Sequence, residues 1–112
     1  ERPYIGISML DLEQVPDVYQ KETLGLKSSQ LDQGVYVKDI AAGSPAAKAG
    51  LKSEDVITGI NGKQIKTGSE LRHELYTNTK VGDTVSITLI RNGKQETKKV
   101  TLTQSESKQV SS

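Results

Sequence analysis

The apolar positions change period several times along the chain, and each change marks an element. In Ile7-Ser8-Met9-Leu10-Asp11, Ile7 and Met9 share one face with Asp11, while Ser8 and Leu10 fall on the other; that period of two predicts a strand. Gly6 precedes it between two β-branched residues, Ile5 and Ile7, where glycine marks a bend or a close backbone approach. The opening stretch therefore reads as a tight loop feeding a strand. Successive N–H groups of such a loop can converge into an anion-binding nest, although an ordinary first strand with a glycine bulge produces the same pattern. Residues 13–33 are polar and irregular, with room for two helical turns over Pro16-Asp17-Val18-Tyr19-Gln20-Lys21-Glu22 and with Leu24, Leu26 and Leu31 pinning the segment down. Gly34 to Ile40 predicts a strand with Val35 and Val37 on one face. Ser44 then stands as a helix N-cap, Pro45 as the first helical residue and Gly50 as a left-handed C-cap around a short helix of small residues. Asp55 to Ile60 predicts another strand. Thr67 and Glu70 predict a capping box opening a helix from about Gly68 to Thr77, with Leu71 and Leu75 on one face. Asn61-Gly62 and Asn92-Gly93 are type I′ turn signals, and the second joins Thr84–Ile90 to Gln95–Leu102 in a hairpin. The tail, 104–112, has no apolar stripe and is expected to be disordered.

Composition narrows the function class. The chain has 112 residues, the size of one domain, and no Trp, Phe or Cys, so its core must be Val, Ile, Leu and Ala. Fifteen basic and fourteen acidic residues interleave to a net charge of +1, which is no nucleic-acid footprint. Without cysteine there is neither a disulfide framework nor a thiolate metal site. No apolar run is long enough to cross a membrane, so no direct membrane insertion is expected. The start at Glu1-Arg2-Pro3 reads as an excised piece of a longer chain. Catalysis is poorly supported, because a nucleophilic triad needs a base and an orienting carboxylate around its Ser, and no Gly-x-Ser-x-Gly elbow occurs. His73, the one histidine, lies off the Leu71/Leu75 stripe and reads as a solvated residue, and no metal or cofactor is expected.

The order of elements resembles a PDZ domain, and more narrowly the circularly permuted PDZ domains of the bacterial HtrA/DegP serine proteases. Tyr4-Ile5-Gly6-Ile7 matches that family's carboxylate-binding loop. Gly43-Ser44-Pro45-Ala46-Ala47-Lys48-Ala49-Gly50-Leu51 matches its small-helix signature. Asp55-Val56-Ile57 and Ile60-Asn61-Gly62 match the segment after that helix, and Arg91-Asn92-Gly93-Lys94 matches the final hairpin. Glu54 stands where the family usually has Gly, which puts the local turn in question. Arg2-Pro3 and the Asn-Gly hairpins look like Gram-positive surface proteases of this family.

The resemblance implies a mainly β fold with two helices (α+β), a permuted, partly open β-sandwich or barrel whose groove runs between the first strand and the second helix. It implies a PDZ domain over 1–103 and a flexible tail over 104–112. Tyr4, Ile5, Gly6 and Ile7 would hold a ligand's terminal carboxylate. Ser8, Met9 and Leu10 would pair with its main chain, and Leu71 and Leu75 would line an apolar pocket unless one of them is simply core. Arg2 either assists the carboxylate or stands free on the surface. The implied partners are C-terminal peptides of unfolded or mislocalised proteins and a protease domain of the same chain, upstream of residue 1. The isolated domain would be monomeric and the parent extracellular or in the cell envelope, tethered to a membrane. A tail-specific or intramembrane protease, a non-enzymatic scaffold, and a groove filled by the chain's own tail are the alternatives.

Overall fold

The computed structural model describes residues 3–103. Arg2 and the tail, 104–112, lie outside the described residues. The strands are β1 (Ile7–Asp11), β2 (Val35–Ile40), β3 (Val56–Ile60), β4 (Lys63–Gln64), β5 (Thr84–Arg91) and β6 (Lys94–Thr101). The α-helices are α1 (Asp17–Glu22), α2 (Pro45–Ala49) and α3 (Gly68–Asn78). One antiparallel sheet runs in the order β1-β2-β3-β5-β6, with β4 paired to β3. A bridge between Tyr4 and Thr103 joins the two ends of this path, so the sheet curls towards a barrel. The mainly β, α+β class expected from the sequence is the observed one, and the turns expected over Pro16–Glu22 do form a helix, the third.

Local signals account for most boundaries. Ser44 Oγ accepts from the Ala47 N–H at 3.2 Å, Pro45 opens α2, and Gly50 closes it at φ +91°. Asn61 and Asn92 both take positive φ ahead of their glycines, as type I′ turns require. The β5–β6 hairpin pairs without a break from Thr84↔Thr101 to Arg91↔Lys94. At α3 the box is altered. Thr67 Oγ1 accepts from the Glu70 N–H at 3.1 Å, but Glu70 Oε1 accepts from Lys66 N–H, one residue before the cap.

Two apolar clusters flank the sheet. The larger gathers Ile5, Val35, Val37, Ile57, Ile60, Leu71, Leu75, Val85, Ile87, Leu89, Val100 and Leu102 beneath α2 and α3. The smaller, Leu12, Val15, Leu24, Leu26, Val56 and Ile90, lies under the irregular segment, with Tyr19, Leu31 and Tyr36 against it. Leu24, Leu26 and Leu31 thus fasten that segment, as their spacing suggested. Its polar hub is Gln20, fully buried: its Nε2 donates to the carbonyls of Leu12 and Val15 and to Asp32 Oδ1, and its Oε1 accepts from the Asp32 N–H.

Candidate functional site

The loop Tyr4–Ile7 owes its shape to the neighbour that glycine admits. Gly6 has φ +90°, and a Cβ there would stand 2.2 Å from Ser44 Cβ and 2.6 Å from its Oγ. No side chain fits, and an L-residue would also be strained in this backbone conformation. The residue that caps α2 is therefore the one against which the loop is pressed. The carbonyls of Ile5 and Gly6 are held by the N–H groups of Ala46 and Ala41, each at 2.9 Å. Ile5 sends its side chain into the larger core, and Tyr4 N–H donates to Thr103 O at 2.8 Å. The loop is anchored by its carbonyls and its apolar side chain.

Beyond the loop, β1 is the sheet's edge. Gly6 O accepts from Ala41, and Leu12 N–H donates to Gly34 O at 3.0 Å, so bonds flank the pairs Ile7↔Ile40 and Asp11↔Val35. Both pairs are then of the non-hydrogen-bonded kind. The N–H and C=O groups of Ile7 and Asp11, and of Met9 between them, point away from β2. The register shift between Ser8 and Met9 falls on β2, where Lys38 is skipped, so the alternation along β1 is unbroken. Every second residue of β1 thus offers a donor and an acceptor to an edge that no strand covers among the described residues.

Helix α3 overlooks this edge. Leu71 and Leu75 are 0% and 3% exposed, both within the larger cluster, with Ile7 and Met9 half-buried against it. Both leucines, not one of them, thus serve the core in this structure. The N-terminus of α3 approaches β1 closely: Gly68 N–H donates to Asp11 Oδ1 at 2.7 Å. A Cβ on Gly68 would lie 3.3 Å from that oxygen and 3.6 Å from the sulfur of Met9. His73 is exposed on the far side of α3, beside a cavity of ≈ 550 Å³ lined also by Lys63, Ile65 and Glu74. There Asn78 donates to Glu74 at 2.7 Å and Lys63 stands 3.2 Å away, which holds the Glu74 carboxyl below its usual range against the opposing pull of burial.

Sequence reasoning missed one supporting link. Asp55 is 1% exposed and is gripped by Arg91 through Nε–Oδ1 at 2.8 Å and Nη2–Oδ2 at 2.7 Å. The same Nη2 donates to Gly50 O at 2.9 Å, and Asp55 Oδ2 accepts from the Lys52 N–H. This network ties the C-terminus of α2 to β3 and β5, and α2 in turn carries Ser44 against Gly6. Asp55 and Arg91 both stand in motifs that carry the resemblance, but their 36-residue separation hid the pairing. Glu54, in the position where glycine is usual, does adopt positive φ, +73°, and its carboxylate accepts from the Tyr19 hydroxyl. The turn survives the exchange, with a contact from α1 added.

Known proteins agree with this geometry. The profile of the PDZ domain family matches residues 3–102. The chain is 63% identical over 108 residues to the serine protease Do-like HtrA of Bacillus subtilis, covering 96% of this chain and 24% of that protein. It is 51% identical over 103 residues to the Do-like HtrB of the same organism, covering 92% and 22%. The periplasmic endoprotease DegQ of Escherichia coli is 41% identical over 87 residues, covering 76% and 19%. The chain thus spans a quarter or less of the length of these curated relatives. Among solved structures, the HtrA3 PDZ domain bound to a phage-derived ligand superposes with a TM-score of 0.73 at 20% identity, over 90% of this chain and 86% of that one; this likeness is one of fold. A variant of the HtrA-type protease AlgW with a decapeptide superposes with a TM-score of 0.73 at 26% identity, over 91% and 29%.

Proposed function

The chain belongs to the PDZ domain family, and on that premise we propose that it is the peptide-recognition module of an HtrA-type serine protease. It takes the apolar C-termini of unfolded or mislocalised proteins by adding them as a strand to β1. The observation that carries this reading is the uncovered edge of β1, its N–H and C=O groups at Ile7, Met9 and Asp11 facing outward directly beside the Gly6 loop. In this reading Tyr4, Ile5, Gly6 and Ile7 receive the terminal carboxylate, with Arg2 assisting. The outward backbone groups of Ile7, Met9 and Asp11 carry the pairing, whereas those of Ser8 and Leu10 face β2, and Leu71 and Leu75 floor the apolar pocket. The HtrA3 domain and AlgW were solved with peptides, which supports a peptide as the partner class. As a PDZ domain the chain is not itself catalytic; we assign proteolysis to a separate upstream domain, as the matched relatives' names suggest. The periplasmic address of one relative supports a place in the cell envelope or outside the cell, and membrane tethering of the parent is part of the proposal.

The energetics suit a releasable ligand. Each new backbone hydrogen bond contributes about 0.5–1.5 kcal/mol net, and one buried apolar terminal side chain about 1.5–3 kcal/mol. Ordering the peptide opposes these by several kcal/mol. The expected affinity is that of a weak, releasable ligand, on the order of 1 μM.

The test is an NMR titration of the labelled domain with a short peptide ending in Val, and with the same peptide amidated. Shifts centred on Ile5–Met9 and on Leu71–Leu75, abolished by amidation, are the expected result. Equal response to both peptides would remove the carboxylate from the mechanism, and no response to either would remove the peptide. Sedimentation of the same sample is expected to show a monomer.

A further inference from the structure

The proposed groove meets a physical obstacle in the structure itself. On the reading above, a ligand side chain entering between β1 and α3 meets Leu71 and Leu75, yet these are 0% and 3% exposed. The chain's own Ile7 and Met9 pack, half-buried, against the same cluster. Cores are close-packed, so a guest side chain cannot be admitted without a shift of the wall. The wall that can shift is α3, because β1 is held to β2 along its length whereas α3 follows a loop and begins one turn before Leu71.

One long-range contact resists that shift. The Asp11 carboxylate, at the end of β1, accepts from the Gly68 N–H at 2.7 Å across 57 residues of sequence. Thr67 satisfies the Glu70 N–H and Glu70 reaches back to Lys66, so the helix's own capping leaves the Gly68 amide to Asp11. The bond is charge-assisted and lies near the first-turn end of the helix dipole, both of which strengthen it. Gly68 lets the carboxylate come close: a Cβ there would stand 3.3 Å from Asp11 Oδ1, in ordinary contact with the Met9 sulfur and Arg72 Nη1 at 3.6 Å.

Resting on the reading of β1 as the peptide edge, we infer that Asp11 is a latch that holds the groove shut and sets the affinity of the module. Ligand binding draws on the fraction of molecules in which the Asp11–Gly68 bond is open. A latched ground state lowers the apparent affinity by that fraction. The peptide's fifth residue from the end would pass Asp11, since Ile7, Met9 and Asp11 expose their backbone groups at intervals of two residues.

Three proteins decide the matter: wild type, Asp11→Ala, which removes the acceptor, and Asp11→Asn, which keeps an acceptor oxygen without the charge. A Val-ended peptide is titrated by stopped-flow fluorescence, and amide exchange at Gly68 is followed by NMR in the absence of peptide. Asp11→Ala is expected to bind about 5-fold more tightly, chiefly through faster association, with Gly68 exchanging freely. Asp11→Asn should fall between it and wild type in both readouts. An unchanged or weaker affinity of a folded Asp11→Ala, beside normal wild-type binding, overturns the latch and leaves the peptide reading standing. Failure of all three proteins to bind overturns the peptide reading and the latch's role with it. Protection of Gly68 that survives in Asp11→Ala overturns the latch whatever the binding shows.

Discussion

At the scale of single residues, the site depends on atoms that are absent as much as on those present. Gly6 works because nothing occupies the 2.2 Å between its missing Cβ and that of Ser44. Gly6→Ala is expected to lower stability by about 2–4 kcal/mol, from the strained φ and the clash together. It should also weaken binding of a Val-ended peptide at least tenfold, which thermal melting and calorimetry would measure; a melt unchanged to within a degree would mean that the loop is not held against α2. The sequence already marked Gly6, because a glycine between two isoleucines has no strand-forming purpose. It did not mark Gln20, which closes four hydrogen bonds in a polar stretch. A glutamine among other polar residues has no pattern, and its burial results only from how 12–32 folds back on itself.

At the scale of elements, capping signals translated directly into α2 and α3, since a cap is satisfied within four residues of its own backbone. The exception at Glu70 is small but telling: its side chain found the Lys66 amide, one residue off the expected partner. The link that orients α2 was not local. Arg91 holds Asp55 and Gly50 O at once, so Arg91→Ala would strand a carboxylate that is 1% exposed. The expected cost is about 3–5 kcal/mol, read by urea denaturation, because breaking one side of a buried pair leaves the other charge uncompensated. A loss below 1 kcal/mol would show that water reaches Asp55 freely. Since α2 carries Ser44, the peptide affinity of the surviving folded fraction is expected to fall as well.

At the scale of the whole molecule, the two ends of the described chain meet at one seam, between Tyr4 and Thr103. Tyr4 N–H donates to Thr103 O at 2.8 Å, so these two segments lie side by side next to the Gly6 loop. A circular permutant that joins them through a short Gly-Ser linker and opens between Asn61 and Gly62 should keep a single cooperative transition. Its peptide affinity should stay within about threefold of the parent's, because neither the linker nor the new termini cross β1 or α3. A permutant that unfolds without cooperativity would show that the seam depends on chain continuity at the β3–β4 turn.

What the sequence alone determined was everything whose cause is short-range. The strand alternation at Ile7–Asp11, the caps of α2 and α3, the two Asn-Gly turns and the β5–β6 hairpin rest on neighbours a few residues apart, and the ordered motifs were enough to identify the family. Tertiary structure decided what depends on distant parts of the chain meeting. It buried both Leu71 and Leu75, because a helix lying on a curled sheet presents its whole apolar stripe to the core. It also paired Asp55 with Arg91 and set the Asp11 carboxylate on the amide of Gly68. No period or propensity encodes such meetings, since each arises only when the sheet closes and brings its first strand beneath its longest helix.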